Sequence, residues 1–260
     1  MATAGPTPKS SFSPPADDKQ QLRLTWRSTG LSDIGYVRTV NEDAHLDARE
    51  NNLWVVADGM GGHSFGDKAS QTIIEQLVDF RPGADVANDI QDLERRIVAA
   101  NTECRRMAEG SVMGSTVAAL YASDPYCFFL WAGDSRIYRY RGGELTQVTE
   151  DHSLVQELVS MGELKREDME RHPSSHIITR AVGVHSELQL EIQYALVEPG
   201  DRYLICSDGL YKDLTAAEIA TGMGGASIEL AVRSLVDHAL QRGGSDNTTA
   251  IVLQAEQLPA

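Results

Sequence analysis

An α+β fold built in layers is what this sequence predicts, and three observations predict it. Apolar runs of strand length follow one another with only turn signals between them, as in an antiparallel meander. Helical periodicity comes in neighbouring stretches, 65–80 with 89–107 and 216–221 with 227–241. No regular strand–helix alternation, the mark of parallel βαβ units, runs through the chain. At 260 residues the chain is long enough for one large domain with a sizeable core.

Residues 1–20 are rich in Pro, Ser, Ala and Thr, and Phe12 is almost their only large apolar residue, so a disordered tail is expected. The folded domain is then expected over residues 21–256. Leu22 to Arg27 alternates apolar and polar, as a half-buried strand does. A turn-rich stretch follows, with acids at Asp33, Glu42, Asp43 and Asp47, and Asn51-Asn52 turns the chain into the apolar run Leu53 to Ala57. That run ends on Asp58, followed by Gly59, Gly61 and Gly62, where backbone can approach a ligand closely. Ala69, Ile73, Ile74, Leu77 and Val78 keep helical spacing, and Ile90, Leu93, Ile97 and Ala100 mark a second helix from Asp89 to Met107. Strands are expected at 115–122, 126–132, 135–141 and 145–148, with turns at Asp124-Pro125 and Gly142-Gly143. Residues 152–180 are polar, carry short helical pieces and contain Pro173; they read as a flap-like excursion. Strands return at 188–197 and 201–206, helical pieces at 208–213, 216–221 and 227–241, and a last strand at 248–253.

Composition narrows the function. A formal charge of −15 and a pI near 4.8 argue against a protein whose main task is to hold nucleic acid or an anionic membrane. Cys104, Cys127 and Cys206 form no CxxC pair and suit free thiols in a reducing compartment. No apolar run reaches membrane-spanning length, and the first residues lack a basic start followed by an apolar core. A cytoplasmic protein is expected.

Nucleotide motifs fail at the glycine turn. Ser64 stands where a GxGxxG pattern needs its last glycine, and Asp67, not Lys, follows Gly66 where a P-loop would need it. There is no HExxH, and Pro173 interrupts the helical spacing of His172 and His176. What recurs is an apolar strand that ends on an acid at a turn. It occurs at Val55–Gly59, at Leu130–Ser135 with Asp134, and at Leu204–Gly209 with Asp208. Asp246 with Asn247 precedes the last strand, and Glu42-Asp43 precedes the Leu53 strand. One such acid alone is best read as a turn or N-cap residue. Several converging on one cleft repel strongly unless compensated, and hard divalent cations compensate carboxylates best. Two such cations ~3.5–4 Å apart could activate a bridging water against a phosphate ester. Arg38, four residues before Glu42, is the one fixed cation the sequence sets beside the cluster, and a guanidinium suits a phosphate.

These residues resemble the protein phosphatase 2C family of metal-dependent protein Ser/Thr phosphatases, in its bacterial form. The resemblance is carried by Ser32–Ala44, Val55–Ser70, Gly114–Leu120, Trp131–Leu145, Thr149–Leu164, Ile178–Gly183, Leu204–Thr215 and Gly243–Leu253, in the family's order. It implies a four-layer α-β-β-α sandwich with two central antiparallel β-sheets and the metals at one end. It implies that Asp58 bridges two Mn²⁺ or Mg²⁺ ions, that the Gly59 carbonyl holds the second, and that Asp208 and Asp246 complete the first. Glu42 and Asp43 would bind metal waters, Asn247 would support Asp246, and Asp134 with Asp208 would hold a weaker third ion. Arg38 would bind the substrate phosphate.

The implied reaction is hydrolysis of phosphoserine and phosphothreonine by a metal-bridging water, without a phosphoenzyme. The implied partners are phosphorylated proteins, substrates of a partner Ser/Thr kinase, met by a monomer. One departure stands out: animal members follow the Asp-Gly pair with a histidine, where this chain has Met60. His63 reads equally well as a turn residue, so the general acid stays open.

Overall fold

The computed structural model describes residues 23–61, 65–108, 111 and 113–258. The expected tail, residues 1–20, and His63 lie outside the described residues. In chain order the first half comprises β1 (Leu24–Asp33), β2 (Asp43–Ala48), β3 (Leu53–Met60), α1 (Gly66–Leu77), α2 (Val86–Met107), β4 (Gly114–Ser115), β5 (Val117–Ser123) and β6 (Tyr126–Ala132). The second half comprises β7 (Arg136–Arg141), β8 (Glu144–Gln147), α3 (Leu154–Ser160), β9 (Glu191–Leu196), β10 (Arg202–Cys206), α4 (Asp208–Tyr211), α5 (Ala216–Met223), α6 (Ile228–Arg242) and β11 (Thr248–Gln257).

The strands form two sheets. One has the order β1-β11-β10-β7-β8; the other has β2-β3-β5-β6-β9, with β4 paired to the end of β3. All these pairings are antiparallel. Strand alternation explains how they stack. On β3, Leu53, Val55 and Ala57 face α1 and α2, meeting Ile73, Leu77, Leu93 and Ile97. Trp54 and Val56 face the other way, into a layer between the sheets with Trp26, Trp131, Tyr203 and Ile251. Beyond the first sheet, Leu204, Cys206, Ala250 and Val252 pack on Leu210, Ile219, Val232 and Leu235 of α4–α6. The expected four-layer α-β-β-α order is the observed one. Each large side chain fully buried in these layers contributes about 1.5–3 kcal/mol relative to exposure.

Several element bounds differ from expectation. β1 does not stop at Arg27; it pairs with β11 through Asp33, in unbroken register from Leu24↔Gln257 to Asp33↔Thr248. Its later half, Ser28 to Asp33, is polar and half-buried, so no apolar alternation marks it, and its partner strand supplies the order. Gly30 is required there because a Cβ would lie 2.9 Å from the His45 ring. Helix α2 begins at Val86, three residues before Asp89, because Asp85 caps it by accepting from the Ala87 amide at 2.9 Å. The expected strand at 115–122 is split, with Thr116 between β4 and β5.

The excursion at 152–180 is closed at its base. The Leu154 amide donates to Ile177 O and the Thr179 amide to His152 O, at 2.9 and 2.8 Å. Inside it lie α3 and a 3-10 segment, Arg166–Arg171, whose Met169 is buried. Among the described residues, no helix is long and apolar enough to cross a membrane.

Candidate metal centre

The acids singled out in the sequence meet at one end of the sandwich. In the β2–β3 register Asp43 lies opposite Asp58, on the face of their sheet that Trp54 and Val56 turn towards the first sheet. Asp58 is fixed from behind: its amide donates to Thr116 Oγ1 at 3.0 Å, and the Thr116 amide donates to its carbonyl at 2.8 Å. From the opposing sheet, β10 ends at Cys206 and delivers Ser207 and Asp208 at the start of α4. Asp246 and Asn247 arrive immediately before β11. Asp134 comes from the β6–β7 turn and is buried.

Electrostatics measure the crowding. Burial, and then Asp208, Asp43, Asp134 and Asp246, hold the Asp58 carboxyl well above the usual carboxylate range. Burial pushes Asp43 up to about 7, against hydrogen bonds from Thr249 and Ser207, with Asp208 and Asp246 raising it further. Burial and then Asp208 push Asp134 up to about 7, with Lys212 pulling the other way. Glu42 is raised by burial and lowered by Arg38.

Hydrogen bonds fix the loop from 34 to 42. Asn247, itself buried, accepts from the Glu42 amide at 2.8 Å and donates to Ile34 O and Val40 O at 2.9 and 3.1 Å. Asn247 thus secures the loop that carries Arg38, beyond its expected support of Asp246. Gly59 admits no side chain, since a Cβ would stand 2.1 Å from Gly66 O and 2.6 Å from Glu42 O. Arg38 donates to Asp246 Oδ2 at 2.7 Å, and its side chain is 48% exposed.

Among the described residues, no group of three or more His, Cys, Asp or Glu is gathered tightly enough to hold a metal ion as it stands. Other side chains of the protein engage three of these acids. Arg38 holds Asp246, Lys212 holds Asp208, and Ser207 Oγ donates to Asp43 Oδ2 at 2.7 Å. The donor set nonetheless fits hard divalent cations. It is made of oxygens, Asp58 lies within the field of four other acids, and among the described residues Asp134 Oδ1 is buried without a hydrogen-bond partner.

Lys212 corrects the expectation that Arg38 is the one fixed cation here. The two are joined by Arg136, which forks onto Asp151 at 2.6–3.0 Å and lies over the Tyr211 ring at 3.5 Å, while Tyr211 donates to Asp134 Oδ2 at 3.3 Å. Sequence reasoning missed Thr116, Ser207, Tyr211, Lys212 and Arg136. Only Lys212 left a signal, its position four residues after Asp208, which puts both on one side of a helical turn.

A family model for protein phosphatase 2C matches residues 36–248. The chain belongs to the protein phosphatase 2C family. It is 36% identical over 239 residues to the serine/threonine protein phosphatase PstP of Mycobacterium tuberculosis, across 89% of this chain. This chain spans 45% of that relative's length. Among solved structures, PppA, a key regulatory component of T6SS in Pseudomonas aeruginosa, is 42% identical with a TM-score of 0.84, covering 91% of this chain and all of that one. The catalytic domain of PstP in complex with 2 manganese ions is 33% identical, with a TM-score of 0.82 over 90% of this chain and 100% of that one.

Proposed function

We propose that this chain is a Mn²⁺- or Mg²⁺-dependent phosphoprotein phosphatase that hydrolyses phosphoserine and phosphothreonine without a phosphoenzyme. The observation that carries this is the arrival of Asp43, Asp58, Asp134, Asp208 and Asp246 at one end of a protein phosphatase 2C sandwich, where the other four all act on the Asp58 carboxyl. Asp58, the Gly59 carbonyl, Asp208 and Asp246 would hold two cations, Glu42 and Asp43 would hold their waters, and Asp134 would border the adjoining position beside Asp208. When bound, such cations supply a water activated at neutral pH and neutralise charge on the transferring phosphoryl group.

The chain's own residues do the rest. Arg38, half-exposed and presented by a loop that Asn247 clamps, is suited to fork onto two phosphate oxygens of the substrate. In the net reaction the water oxygen bonds to phosphorus, the bond from phosphorus to the Ser or Thr oxygen breaks, and that oxygen takes a proton. A thiol nucleophile is disfavoured: all three cysteines are buried, and burial pushes the Cys104 thiol up to about 11. The excursion at 152–180 is the proposed surface for protein substrates. Free buried thiols suit a reducing cytoplasm, where a monomer would oppose a partner Ser/Thr kinase.

The rival is a phosphohydrolase for small esters. Turnover of a phosphothreonine peptide beside that of an aryl phosphate, both with Mn²⁺, separates the two. A clear kcat/KM preference for the peptide is expected; aryl phosphate turnover with an inert peptide would transfer the site to small esters.

A further inference from the structure

We propose that Lys212 is a tethered cation that occupies, between Asp208 and Asp134, the place a third divalent ion would take, so that two divalent cations complete the centre. This rests on the two-cation reading above.

The pair Asp208–Lys212 begins as local geometry. Asp208 opens α4, and Lys212 closes it four residues later, its amide donating to Asp208 O at 3.0 Å. An acid followed by a lysine at this spacing forms a helix-surface ion pair of a few tenths of a kcal/mol. Here the pair is half-buried, Lys212 being the more exposed of the two. The side chains are 32% and 15% exposed, and the Lys212 ammonium bonds Asp208 Oδ2.

Acids of two other elements act on this ammonium electrostatically: Asp134 of the β6–β7 turn and Asp58 at the end of β3. A second, independent observation lies at Asp134. Among the described residues its Oδ1 is buried with no hydrogen-bond partner, and its Oδ2 receives the long bond from Tyr211. The Asp208–Asp134 gap is therefore a cation position with a positive charge already built in.

Charge balance points the same way. Glu42, Asp43, Asp58, Asp134, Asp208 and Asp246 carry six negative charges when ionised; Arg38 and Lys212 return two, and four remain. Two divalent ions neutralise four. A third would overcharge the centre unless the Lys212 ammonium swung out to solvent. Arg136 cannot serve instead, because its guanidinium is committed to Asp151 and Glu170.

The test is calorimetric titration of the full chain with Mn²⁺ alone, for the wild-type protein and Lys212→Gln, together with the melting temperature of each in chelator. Wild type should take two equivalents. Lys212→Gln should take a third, or tighten its weakest step by about tenfold or more, the size expected when one positive charge leaves the neighbourhood of a bound cation. Its melting temperature in chelator should fall, because the acids lose their internal counter-charge. Superimposable isotherms for the two proteins would overturn the role of Lys212 and leave the two-cation centre intact. Three equivalents of similar affinity in wild type would do the same without reference to any variant. No Mn²⁺ binding by either protein would overturn the two-cation reading and this inference with it.

Discussion

Asp58 is the residue on which the centre turns, and its position follows from strand alternation on β3. Trp54 and Val56 point between the sheets; the next residue in that row is Asp58, at the sheet's end, where apolar neighbours give way to Asp43, Asp208 and Asp246. Arg38 differs in kind, being half-exposed and held by Asp246. Replacing it with Ala should raise KM for a phosphothreonine peptide and cut kcat/KM about 10–100-fold, the weight of a lost charge-assisted contact. Mn²⁺ affinity should hold or tighten as Asp246 is released; unchanged kinetics would return Arg38 to a simple ion pair.

His152 gives a pH test. Its ring stacks on Trp131 at 6.0 Å, Nδ1 accepts from the Gly133 amide at 3.1 Å, and Arg180 stands 3.1 Å from Nε2. Burial and then Arg180 lower its pKa to about 4. The unfolded chain takes a proton near the ordinary histidine pKa while the folded one does not, so stability is lost as pH falls from about 6.5 towards 4. Chemical denaturation across that range should show a smaller loss for His152→Gln than for wild type; parallel pH profiles would contradict this.

At the scale of elements, the excursion at 152–180 is fastened to the sandwich through Arg136. This buried guanidinium of β7 reaches Asp151 and, through Glu170, the 3-10 segment of the excursion. The Asp151 side chain is 5% exposed, so removing its partner strands a buried charge. Arg136→Met should cost about 3–5 kcal/mol by denaturant unfolding, and Arg136→Met with Asp151→Leu should recover much of it. A loss under about 1 kcal/mol for the single change would mean that Asp151 finds water instead.

Legibility in sequence varied with the kind of signal. β3, β6 and β10 were plain because each is a short apolar run that ends on an acid at a turn. The latter half of β1 was hidden, because a polar strand is ordered by its partner and not by its own pattern. The acids of the centre were legible as a recurring device, whereas Arg136 and Tyr211 were not. Their meeting depends on how β7, α4 and the excursion pack, which no spacing records.

For the whole molecule, the antiparallel sandwich buries three apolar layers and gathers its unfavourable charge at one end. Folding therefore carries a strain of like charges that ligands binding only the folded state relieve. Mn²⁺ should raise the melting temperature, and above its Kd the rise should continue with the logarithm of free Mn²⁺. The most direct measurement is phosphate release from a phosphothreonine peptide by wild type and Asp58→Asn, each with Mn²⁺ and with excess chelator. Wild type should turn over only with the cation, and Asp58→Asn should lose about 10²-fold or more. Near-normal turnover by the variant, or turnover by wild type in chelator, would contradict a metal-dependent centre built on Asp58.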